Sequence, residues 1–269
     1  MRLETDRHMS ATWIIVPILP FVAWLIFFLA ILAAAFSSFS TIPFNNTTPG
    51  SSTTSTPTPF LAAFSFFAFL WIIFPVIGIV WAVLLYKLVK RRNMHFQRQM
   101  FLYDDLIAFA KDLAAKKGID ISLPLNNLDR TAREAKFEET EKSAALWAIL
   151  SFIIGILSFY VFYFLNKDFY RHERRQDVFV DDLAKLMASE GMPVNLPRTS
   201  YPVPDRSFIL YLVLTIVTAG LFAIYWVYTL LTDPNNHFQY QALTEDTILA
   251  QAGVGIPGST PSQPMYPQM

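Results

Sequence analysis

The sequence predicts an all-α membrane protein with four transmembrane helices and amphipathic membrane-surface helices, arranged as three copies of a helix-plus-surface-helix repeat. Three observations carry that expectation. The chain is 54% hydrophobic and 16% aromatic over 269 residues, and that apolar content is gathered into long uncharged runs. Four runs, Ala11 to Ser40, Phe60 to Tyr86, Ser143 to Asn166 and Ser207 to Thr232, contain no Asp, Glu, Lys or Arg. Each exceeds the ~20 residues a helix needs to cross a bilayer. The third observation is a repeated skeleton of Gly, Tyr, Leu, His, Gln and Asp.

The skeleton reads Gly78, Tyr86, Leu88, His95, Gln99, Asp104, then Gly155, Tyr163, Leu165, His172, Gln176, Asp181, then Gly220, Tyr228, Leu230, His237, Gln241, Asp246. The second copy follows the first by 77 positions and the third follows the second by 65, without a gap. Each copy starts inside an apolar run and ends in a polar segment, so the unit is a membrane helix followed by an amphipathic surface element. The expected organisation is a signal-anchor helix and outer loop over 1–59, repeat 1 over 60–124, a linker helix and repeat 2 over 125–197, repeat 3 over 198–252, and a disordered tail over 253–269.

In chain order, the first apolar run is too long for an ordinary signal-peptide core and reads as an uncleaved anchor, with Ala33 to Ala35 as the cleavage alternative. Residues 37–59 hold Ser, Thr, Pro and Asn without a basic residue, the composition of a solvated outer loop. Asn45 and Asn46 begin two overlapping N-glycosylation sequons, read either as modified or as part of a plain linker. Pro75 is expected to kink the second run. Lys87, Lys90, Arg91 and Arg92 follow Tyr86 as a cytoplasmic stop signal able to meet anionic lipid headgroups; no recognition motif for nucleic acid accompanies them.

From Phe96 to Lys117, Phe96, Met100, Tyr103, Ile107, Ala110 and Ala114 recur at helical spacing, and Gly118 stands as a C-cap. Surface helices are expected near 96–117, 168–190 and 234–252. Asp233 and Pro234 read as the start of the last one. Leu128 to Lys142 is a charged helical stretch that can continue into the third run.

The fourth run, with Thr218, Gly220, Tyr225, Trp226, Tyr228 and Leu230, resembles an uncharacterised family of prokaryotic membrane proteins, a domain of unknown function whose hallmark is T-x-G-I-Y-x-I-Y-W-x-Y-x-L. That resemblance implies membrane residence and repetition, and offers no catalytic residues to carry over.

His95, His172 and His237 each share a helix face with the Gln four residues on, whereas the Asp nine residues on faces the opposite way. A site joining the three histidines requires the three repeats to surround one axis on one membrane side. The favoured alternative is an interfacial polar face, with no metal and no cofactor. No apolar run carries an ionisable group, and no nucleotide loop, zinc signature or nucleophile elbow is present, so no enzyme is expected. The chain has no cysteine, which excludes thiolate sites.

The functional expectation is an integral membrane scaffold or interaction protein of the cell membrane, with lipid and protein partners or a second copy of itself. The alternative is a transporter or channel for a neutral or apolar solute, with Ser151, Ser158, Thr215 and Thr218 as polar contacts. Topology pits two arguments against each other. Seven Lys and Arg between residues 167 and 206 ask the third run to re-enter, while its uncharged length asks it to span. Four spans with both termini cytoplasmic is the favoured expectation.

Overall fold

A computed structural model describes residues 2–40, 59–189, 191–193, 195–199 and 201–251. The sequons at Asn45 and Asn46, most of the outer loop and the tail from residue 252 lie outside the described residues. Most of those described are helical, and no strand occurs among them.

The short helix α1, Arg2–Thr5, and a 3-10 stretch, Ala11–Ile18, lead into α2, Leu19–Ser40. Then come α3, Pro59–Lys117; α4, Ser122–Glu138; α5, Ala144–Ile153; α6, Leu157–Ser189; α7, Phe208–Val217; and α8, Phe222–Gln251. Among the described residues, two helices are long and apolar enough to cross a membrane: the one through Ala11–Ala33 and the apolar part of α3.

Of the four expected spans, these two have an uninterrupted helix of sufficient length and apolarity among the described residues. In the third run the helix stops at Ile153 and restarts at Leu157; in the fourth it stops at Val217 and restarts at Phe222. Each piece before the break is 10 residues long, a rise of ~15 Å or half of a bilayer core. The chain then turns back. Lys142, before the third run, lies 3.3 Å from Asp168 after it, and Arg206 lies 2.8 Å from Asp233 across the fourth. Antiparallel packing brings Trp147 onto Tyr160 and Tyr211 onto Trp226, with ring centroids 5.0 and 5.4 Å apart.

The turn in the fourth run keeps its backbone hydrogen bonds inside the chain, as an apolar setting requires. Thr218 Oγ1 donates to the Leu214 carbonyl at 2.7 Å and accepts from the Phe222 N–H at 2.9 Å. The Gly220 N–H donates to the Thr215 carbonyl and the Ala219 N–H to Ile216, the bonding pattern of a Schellman stop. Ala219 and Gly220 have φ of 50° and 94°. The T-x-G element of the fourth run is therefore a helix-reversal device.

The three repeat glycines occupy different settings. Gly78 is a helix contact, since a Cβ there would meet the Phe152 ring at 2.9 Å. Gly155 and Gly220 sit at the breaks, and only Gly220 has a close neighbour, Phe21 at 3.2 Å.

The expected surface helices also differ. The segments over 96–117, 168–189 and 234–251 continue without interruption from α3, α6 and α8, and they pack together instead of lying apart on a membrane surface. Pro234 falls inside α8, and Asp233 pairs with Arg206 instead of capping a new helix. The charged stretch ends at Glu138, and Ser143 caps α5 afresh by accepting from the Leu146 N–H. Gly118 does terminate α3, with φ of 65° and the Ile119 N–H donating to Ala114.

Two apolar cores hold the helices. Leu88, Leu165 and Leu230, one from each repeat, are buried with Leu84, Phe162 and Trp226. Further along the same helices, Tyr103, Ile107, Ala110 and Ala114 are buried against Leu128, Phe179 and Leu183. Between the cores lies a polar layer.

Candidate metal centre

The polar layer contains the three repeat histidines. Expected on an interfacial face, they are instead fully buried, at 0%, 0% and 1% exposure for His95, His172 and His237. The geometric condition for a shared site holds, because α3, α6 and α8 each direct one imidazole to a common point. His95 Nε2 is 3.1 Å from His172 Nε2 and 3.3 Å from His237 Nε2, and one ligand atom from each ring lies within 4.8 Å of the others.

Each ring is held at its other nitrogen by a carboxylate. Asp6 meets His95 Nδ1 at 2.9 Å, Glu139 meets His172 Nδ1 at 2.9 Å, and Glu173 meets His237 Nδ1 at 3.4 Å. An ionised carboxylate only accepts, so each Nδ1 carries the proton and donates it. The neutral rings then aim three Nε2 lone pairs at one another.

The carboxylates are themselves fixed. Asp6 accepts from Arg98 at 2.7 Å, and Arg98 also donates to Glu245. Glu139 accepts from Arg175, and Glu173 accepts from the Val203 N–H. Burial and the neighbouring His172, His237, Arg98 and Arg91 charges push the His95 pKa well below its ordinary value. His237 is also lowered, by burial first and with the Glu173 hydrogen bond opposing. Burial alone would raise the Glu139 carboxyl, but His172, Arg175 and Arg92 outweigh it and hold it below the ordinary carboxylate range.

Aromatic rings wall the centre. Phe96 stacks on His172 with centroids 4.3 Å apart, Phe238 lies 4.4 Å from His95, and Phe169 is 6.2 and 6.3 Å from His95 and His237. One helical turn beyond the histidines, Gln99, Gln176 and Gln241 are buried together, and Gln241 Nε2 donates to Gln99 Oε1. Asp104, Asp181 and Asp246 point away from the layer, as their spacing requires; Asp104 pairs with Lys136 and Asp246 with Arg2.

Tyr86 and Tyr228 are exposed at the ends of the apolar segments, and Tyr163 is half-buried. Of the basic cluster offered to lipid headgroups, Lys87 and Lys90 are exposed but Arg91 and Arg92 are buried. Arg91 donates to the Leu230 and Leu231 carbonyls and to Asn235, and burial lowers its pKa to about 9. Arg92 meets Asp168 at 2.9 Å and the Thr140 carbonyl at 2.7 Å. Three of the four hydroxyls considered for a solute path are bonded within the bundle: Ser158 to Trp81, Thr215 to Tyr211 and Thr218 to Leu214.

Asp6, Glu139 and Glu173 were not singled out by the sequence. The first two stand outside the repeat, and Glu173 occupies a column filled by Phe96 and Phe238 in the other copies. That odd acid beside a repeated histidine is the sequence signal that could have found Glu173. Comparison with protein-family models, curated proteins and solved structures finds no match.

Proposed function

We propose that the chain is an integral membrane scaffold whose three repeat helices are clasped by one divalent transition-metal ion, zinc foremost. One observation carries this reading: three buried Nε2 lone pairs converge at 3.1 and 3.3 Å while carboxylates hold all three Nδ1 protons. Without a cation these lone pairs repel one another; a proton relieves one pair of nitrogens, whereas a metal ion takes all three. Tetrahedral zinc with Zn–N of ~2.0–2.1 Å spaces its nitrogens by ~3.3–3.4 Å. The carboxylate on each imidazole is the second layer that orients metal-bound histidine and strengthens it as a donor, and imidazole donors suit zinc and its neighbours better than calcium or magnesium.

The membrane part of the proposal rests on exposure. Trp71 is 80%, Ile156 71% and Val217 76% exposed, an apolar surface that water would not tolerate but lipid accepts. Two helices span the bilayer, and the third and fourth runs enter as helical hairpins that return to their side of origin. The first ten residues and all three histidine-bearing segments thus share one face, cytoplasmic by the distribution of Lys and Arg.

Elemental analysis of detergent-purified protein tests the reading. About one equivalent of transition metal is expected, with loss on His172→Ala. Protein that neither carries nor takes up such an ion would overturn it.

A further inference from the structure

The centre differs along its axis. On the side toward the apolar runs, the ring of Phe169, one turn before His172, lies 6.3 Å from that of His237. The opposite side is the glutamine layer. Long side chains on a helix lean toward its N-terminus, so Gln99, Gln176 and Gln241, four residues after the histidines, lean back toward the converging Nε2 atoms.

The hydrogen bonds within this layer are incomplete in a specific way. Gln241 Nε2 donates both to Gln99 Oε1 and to Glu245 Oε1, which fixes the direction of that amide. Its Oε1 has no partner, and neither has Gln176 Oε1. These residues are 0% and 2% exposed. A buried amide oxygen left unbonded keeps its full desolvation cost, so the layer asks for donors.

An ion held by three protein nitrogens keeps a fourth position for a ligand the protein does not supply. Building on the metal reading above, we infer that this fourth ligand is a water molecule on the glutamine side, its two O–H groups donated to Gln176 Oε1 and Gln241 Oε1. A water has two hydrogens and the layer has two open acceptors. A small oxygen ligand is the chemical class the site takes.

Cobalt(II)-loaded protein in detergent provides the test, by low-temperature electron paramagnetic resonance in ordinary and 17O-enriched water. With about one equivalent of cobalt bound, 17O broadening is expected. It should be lost or clearly reduced in Gln176→Leu/Gln241→Leu, with cobalt content retained. If that double variant does not fold, Gln176→Met, which keeps the length and removes the acceptor, should change the broadening. Full cobalt loading without 17O broadening would overturn the water alone and leave the metal reading standing. Broadening unchanged in the glutamine variants would overturn the proposed water site. Failure to bind cobalt or any other transition metal would remove both.

Discussion

Lys142 Nζ lies 3.3 Å from Asp168 Oδ2, although the entire third apolar run separates the two residues. An ion pair joining the ends of a run is incompatible with those ends lying on opposite faces of a bilayer, and Arg206 with Asp233 makes the same statement for the fourth run. Single cysteines at Glu141, Arg198 and Lys116 are therefore expected to react with an impermeant thiol reagent from one and the same side. The chain has no native cysteine to confuse the labelling. Opposite-side labelling of Glu141 and Arg198 would show that the third run spans.

Removing the metal should loosen the bundle. A ligand bound only by the folded state stabilises it by about 4 kcal/mol when free at 1,000 times its Kd. Thermal unfolding in detergent should fall by several degrees on adding a strong chelator and recover with zinc. His237→Ala should unfold at the same temperature with and without chelator.

The three carboxylates act through the imidazoles. Asp6→Asn keeps an acceptor for His95 Nδ1 but lowers its charge, and metal affinity should weaken by about 10- to 100-fold, the range for lost outer partners of metal-bound histidine. Glu139→Gln should act similarly through His172. Competition with a chromophoric chelator measures both. Lys116→Met, on an exposed residue paired only with Asp112, should leave affinity unchanged.

Acid should destabilise the metal-free protein. The folded-state pKa values of His95 and His237 lie below the ordinary histidine value. Between the lowered and the ordinary values the unfolded chain binds more protons than the folded one, so stability rises with pH there. Denaturant midpoints of chelator-treated protein should therefore hold steady above about pH 6.5, the ordinary histidine value, and fall as pH drops below it. A midpoint that rises on acidification would contradict the depressed values.

The hairpin turn in the fourth run depends on one hydroxyl. Thr218→Val removes both the bond to the Leu214 carbonyl and the cap on the Phe222 N–H, and should cost about 1–2 kcal/mol, as loss of a helix cap does. Ala219→Gly should move the other way by ~0.4–1 kcal/mol, because its φ of 50° suits glycine. Gly220→Leu should destabilise more than Phe222→Leu, through its φ of 94° and the nearby Phe21 ring. Unfolding titrations in detergent check all four.

Much of this fold was legible locally. Periodicity gave the buried face at Tyr103, Ile107, Ala110 and Ala114, and the positive-φ stop at Gly118 was readable from its place after two lysines. Repetition placed His95, His172 and His237 at equivalent positions, and helical geometry separated them from Asp104, Asp181 and Asp246. Whether the repeats shared an axis was a question of tertiary packing, which no single helix encodes. The breaks at 154–156 and 218–221 were hidden by uncharged sequence long enough to span. The competing signal, basic residues on both sides of the third run, was present and outweighed. Asp6 and Glu139 were out of reach for a simpler reason: they come from irregular or linker sequence with no spacing relation to the rings they orient.

Asp6 also sets a schedule for assembly. It precedes all three repeats in the chain, yet its ring partner sits in the first repeat and its arginine, Arg98, is shared with Glu245 of the third. Its full set of contacts therefore cannot form until the chain has been made as far as Glu245. The histidine cluster is complete only when residues from all three repeats have come together.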